Sequence, residues 1–145
     1  MKFLTLIGLF IGAFFMLSGF AAAQEEEAEK VPLELDGSKW AIVQTLVEKS
    51  GKTSTVEDTL NFENKKFYSE VFRDKEYEPT NYSVSLNDDG TTKFGTMQNK
   101  DEETVYWEGR VKGETIDGTI NVYSKKAKGI REEYYFNGTR LSGEL

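Results

Sequence analysis

The chain contains neither histidine nor cysteine, so any chemistry it performs must come from carboxylates, tyrosines, lysines and serines. Without histidine it lacks the commonest general base. With neither residue it has no Ser-His or Cys-His nucleophile pair and none of the usual zinc or copper ligand sets. No glycine-rich phosphate loop precedes a helical pattern. Paired carboxylates alone can hydrolyse glycosides, but the 25 acidic residues single out no such pair. We therefore expect a non-enzymatic protein with no cofactor and no metal site.

The informative positions are polar residues that interrupt rows otherwise readable as core. Gln44 interrupts Trp40, Ile42 and Leu46, and Asp58 interrupts Val56, Leu60 and Phe62. Glu132 interrupts Ile130, Tyr134 and Phe136, while Arg73 ends the row Phe67, Ser69, Val71. Placed inside a barrel with Trp107 and Tyr134, these groups would orient a bound ligand, as a few convergent polar groups do in an apolar pocket. The alternative places them near the rim, or pairs Asp58 with an arginine inside. An unpaired buried charge is too costly to stand alone.

The elements that would carry these rows are strands. Eight runs alternate with period two: Lys39–Lys49, Ser54–Phe62, Lys66–Arg73, Asn81–Asn87, Thr91–Gln98, Thr104–Lys112, Thr115–Ser124 and Ile130–Leu141. Turn residues punctuate them, among them Ser50-Gly51, Asn64-Lys65, Asp88-Asp89-Gly90 and Gly113-Glu114. Links this short force antiparallel neighbours. The sixth and seventh runs each present one apolar and one charged face, which argues for a soluble domain and against an outer-membrane barrel. Gly109 and Gly118 fall on the apolar faces, where a missing side chain permits sharp bending or room for Trp107. The expected fold is all-β, an eight-stranded antiparallel up-and-down barrel, with a flattened two-sheet sandwich as its rival.

The barrel follows an N-terminal signal helix. Met1-Lys2, the apolar run Phe3–Phe20 and Ala21-Ala22-Ala23 have the layout of a secretory signal peptide cleaved after Ala23. An uncleaved anchor is the alternative, since about 17–20 apolar residues can span a bilayer. Residues 24–32 open with QEEEAEK and read as a flexible acidic tether, leaving 33–145 as one barrel domain. An exported chain without cysteine has no disulfide staple, which points to a bacterial periplasm or a secreted product. The N-x-[ST] matches at Asn81 and Asn137 are then coincidental.

The entrance Asp36-Gly37-Ser38-Lys39-Trp40 resembles the Gly-x-Trp motif of lipocalins, with one residue more between glycine and tryptophan. The resemblance implies that Trp40 plugs a closed barrel end. It also implies that a late arginine, Arg140 in preference to Arg131, stacks across that ring. The open end would then bind a small apolar or amphipathic molecule such as a lipid. The rival function is a filled barrel acting on another envelope protein through tyrosines at 68, 77, 82, 106, 123 and 135. A net charge of −7 argues against nucleic acid, and Lys125, Lys126 and Lys128 read as a solvated turn. Oligomeric state is not legible.

Overall fold

The computed structural model describes residues 31–143; the expected signal helix, residues 1–23, and residues 24–30 of the expected tether lie outside them. The strands are β1 (Ser38–Val47), β2 (Thr53–Glu63), β3 (Lys66–Ser69), β4 (Thr80–Leu86), β5 (Thr92–Lys100), β6 (Glu103–Lys112), β7 (Thr115–Ser124) and β8 (Gly129–Arg140). Each pairs antiparallel with the next, and β8 returns to β1 through Trp40↔Arg140 to Leu46↔Tyr134, so the sheet closes into a barrel. The all-β barrel expected from the alternation is the fold observed.

Local chemistry explains the connections. Asn64 and Lys65 both adopt left-handed φ, 53° and 64°, the conformation a two-residue hairpin requires. Alternation then sorts side chains: Val105, Trp107 and Val111 of β6 point inward, while Tyr106, Glu108 and Arg110 point outward. The interior is aromatic. Phe67 stacks edge-on to Trp107 with centroids 5.0 Å apart, Phe62 meets Phe94 at 5.1 Å, and Trp107 meets Phe136 at 5.7 Å.

Gly109 and Gly118 face each other across β6 and β7. A Cβ on Gly109 would enter the Phe94 ring, and one on Gly118 would strike the Glu108 carbonyl and Phe136. Both glycines thus mark close approach, but the room they leave is taken by Phe94 and Phe136 rather than by Trp107.

Two departures from simple alternation matter for the site. The third run does not continue as a strand to Arg73. After Ser69 the chain turns into a one-turn helix, α1 (Glu70–Asp74), whose N-cap Ser69 accepts from the Phe72 N–H at 3.1 Å. Its C-terminus closes by Tyr77 N–H to Phe72 C=O (3.0 Å) and Glu76 N–H to Arg73 C=O (2.8 Å), with Glu76 left-handed at φ 70°. That is the Schellman arrangement, completed by the Phe72–Tyr77 ring contact at 5.5 Å. Period two therefore gives way to i, i+3, and the buried residue is Phe72 instead of Val71.

The second departure lies in β8. Val122 pairs with Glu132 but Tyr123 pairs with Ile130, leaving Arg131 as the extra residue of a bulge. Ile130 consequently turns outward and is 60% exposed, so it does not belong to the inner row with Tyr134 and Phe136.

One barrel end is sealed by the chain's own entry segment. Gly37 has φ 85°, a value that favours glycine, and its N–H bonds the Phe62 carbonyl at 2.7 Å. Trp40 is fully buried and donates its indole N–H to Ser38 Oγ at 2.9 Å. Arg140 lies over the Trp40 ring with its guanidinium carbon 6.0 Å from the centroid.

Candidate functional site

The mouth towards the other end collects most of the polar residues singled out above, together with α1. Asp58 sits on the inner row of β2 and is 7% exposed. Its carboxylate accepts four hydrogen bonds: from Gln44 Nε2 at 2.5 Å, from Ser69 Oγ, from the Thr59 N–H at 2.7 Å and from the Val71 N–H at 3.0 Å. No arginine is involved, contrary to one of the expected alternatives. The donors are an amide, a hydroxyl and two backbone groups, and the Ser69 hydroxyl and Val71 N–H among them lie at the start of α1. Burial pushes the Asp58 pKa above its ordinary value, and the hydrogen bonds from Ser69, Val71, Thr59 and Gln44 offset part of that rise. Asp58 and Gln44 thus moor α1 to the barrel wall.

Phe72, delivered by α1, fills the space that a ligand would need. Its ring lies 5.4 Å from Trp107, 5.5 Å from Tyr77 and 6.4 Å from Tyr134, and the residue is 2% exposed. Lys75 places its ammonium 4.9 Å from the same ring. Trp107 donates its indole N–H to Gln98 Oε1 at 3.0 Å, and Gln98 Nε2 donates to the Glu78 carbonyl at 3.0 Å. Gln98 ties the loop after α1 to the core.

Glu132 and Tyr134 form a separate cluster on the rim. The Tyr134 hydroxyl donates to Glu132 Oε2 at 2.5 Å, and Arg131 bridges Glu132 at 2.8 Å and Glu103 at 3.2 Å. The Tyr77 hydroxyl donates to Glu103 at 2.9 Å. Burial, then the Glu103 carboxylate, pushes Tyr77 up to about 12; burial and Glu132 likewise raise Tyr134. Both phenols stay protonated and act as donors, while both carboxylates are held by Arg131. The arrangement braces the rim.

The sequence-level candidates therefore divide. Gln44 and Asp58 come together, as do Glu132 and Tyr134, and Trp107 lies beneath Phe72. Arg73 leaves the group: it is exposed on α1 and stacks over the Tyr68 ring at 4.6 Å. Gly37, Trp40 and Arg140 occupy the sealed end. Among the proposed surface anchors, Tyr77 is instead buried, and Tyr82 is half-buried against Phe62 at 5.0 Å. Tyr106, Tyr123 and Tyr135 remain exposed on the outer wall, with Met97 opposite Tyr106 and Ile130 opposite Tyr123.

Gln98, Ser69, Phe72 and Glu103 complete the mouth and were not singled out in the sequence. Gln98 had a readable signal, since it interrupts the inner row of β5 after Phe94 as Gln44 does in β1. Outside the barrel a cleft of about 580 Å³ runs between α1 and the wall, lined by Ala41, Val43, Glu57, Glu70, Val71 and Asp74 among others. No family model, curated protein or solved structure gives a significant match to the chain.

Proposed function

We propose that this chain is an exported packed barrel that works as a protein-interaction module through its outer surface. The observation that carries the reading is the filled interior. Trp40, Phe62, Phe67, Phe94, Trp107 and Phe136 are each at most 2% exposed, while Tyr106, Tyr135, Met97 and Ile130 are left 46–60% exposed on the wall. Side chains already buried against one another leave an apolar guest little to gain by entering. Exposed tyrosine and methionine are residue types that interface cores favour. The leader Met1 to Ala23 supports export, and an envelope protein is the partner that compartment offers.

Carriage of a small apolar ligand, such as a lipid, stands as the second reading because one removable piece fills the mouth. Phe72 rides on a five-residue helix moored by Asp58, and its departure would uncover Trp107 and Tyr134. A titration with a fatty-acid series and a fluorescent apolar probe separates the two readings. The packed-barrel reading predicts no saturable binding to the wild-type chain. Stoichiometric binding accompanied by a change in Trp107 emission would establish carriage instead.

A further inference from the structure

The turn into α1 leaves β3 unfinished, and this uncovers part of its neighbour. β2 pairs with β3 only from Leu60↔Ser69 to Glu63↔Lys66. Had β3 continued, Val71 would face Asp58 and Arg73 would face Val56. Instead the Val71 N–H reaches the Asp58 side chain, and beyond that point Thr53–Glu57 pairs with β1 on one side and with no strand on the other among the described residues. All five of these residues are exposed.

We propose that the Thr53–Glu57 edge is a strand-addition site for an extended partner segment alternating apolar and basic side chains, occupying the track that β3 vacates. The proposal rests on the surface-interaction reading above and names the surface and the partner's chemistry. Natural edges are blocked by proline, lysine or bulges. Thr-Ser-Thr-Val-Glu carries none of these, and three of its five residues are β-branched. Main-chain hydrogen bonds along such an edge supply affinity, while alternate side chains supply specificity.

The specificity follows from the two faces of β2. Val56 shares its face with Asp58 and Leu60 and is 42% exposed, so the residue set beside it should be apolar. Glu57 lies on the opposite face, beside the 580 Å³ cleft that also holds Glu70 and Asp74. Among the described residues none of these three carboxylates takes part in an ion pair. A basic side chain on the added strand would meet that uncompensated charge. A second copy of this chain would bring another acidic cleft, at a net charge of −7 per chain, and is disfavoured.

The test uses a capped hexapeptide alternating lysine and valine, with a glutamate–valine peptide as control, and reads amide hydrogen exchange along the whole chain. The basic peptide should slow exchange at Thr53–Glu57 and the acidic one should not. Glu57→Lys and Val56→Lys alter exposed side chains, and each should weaken binding about tenfold. Unchanged exchange at these amides, equal binding of both peptides, or protection arising without peptide in a sedimenting dimer would overturn the proposal. A partner that protects the Tyr106 and Tyr135 wall but leaves Thr53–Glu57 exchanging overturns the edge site and spares the surface reading. A ligand found inside the barrel removes both.

Discussion

Replacing Phe72 with alanine tests whether the mouth is plugged by the chain itself. The ring is 2% exposed and contacts Trp107, Tyr77 and Tyr134 at 5.4–6.4 Å, so its loss removes a core aromatic and opens a void. Phenylalanine truncations in cores cost about 3–5 kcal/mol, and a void beside the rim, which water can enter, places this one near 3 kcal/mol. For a domain of this size that loss lowers Tm by about 12 °C. A five-residue helix has no stability apart from its docking, so α1 should fray as well.

Denaturant unfolding followed by fluorescence in a Trp40→Phe background isolates Trp107 as the reporter. Benzene, which does not emit in the tryptophan window, should refill the void and restore about 1.4 kcal/mol at ten times its dissociation constant. Phe72→Leu, which nearly conserves volume, should cost less than about 1.5 kcal/mol and secures the comparison should the alanine variant fail to fold. The reasoning fails if Phe72→Ala costs under about 0.5 kcal/mol, the range of a surface substitution, with Trp107 emission unchanged.

Other substitutions probe the remaining contacts. Gly118→Ala drives a Cβ into the Glu108 backbone and should cost about 3 kcal/mol or more, whereas Gly109→Ala meets only the Phe94 side chain and should cost less; thermal melts rank the pair. Gln98→Leu strips the acceptor from the buried Trp107 indole N–H and should cost about 2 kcal/mol by denaturant titration, with altered near-UV dichroism. Because burial raises the Asp58 pKa above 3.8, the folded state binds its proton more tightly than the unfolded state does. The stability due to this group is therefore complete below that value and declines as pH rises through the folded pKa. The stability advantage of wild type over Asp58→Asn should narrow as pH rises above 3.8, and widening would contradict the sign of the shift.

The sheet was legible because its signal is local and repeated. In β6 and β7 every inward residue from Val105 to Val122 follows from alternation alone. The helix was hidden because five residues cannot display a 3.6-residue period, and Val71 and Arg73 extend the two-residue rhythm of Phe67 and Ser69. The Ser69 N-cap acquires meaning only when Asp58 closes over it from another strand. The bulge at Arg131 has no compositional mark, so the outward turn of Ile130 could not be read. Asp58 and Gln44 were visible as polar interruptions, yet their partners depend on register: Ile42, not Gln44, stands directly opposite Asp58, and the amide reaches across the diagonal. Tyr77 is buried and does not serve as a surface anchor because its position follows from the α1 terminus and not from any strand.

The central claim is that the barrel is filled by its own side chains. Native mass spectrometry of the protein purified from its own source, under conditions that preserve folded complexes, tests it most directly. A mass equal to that of the polypeptide alone is the predicted result. A stoichiometric excess mass that disappears on denaturation would contradict it.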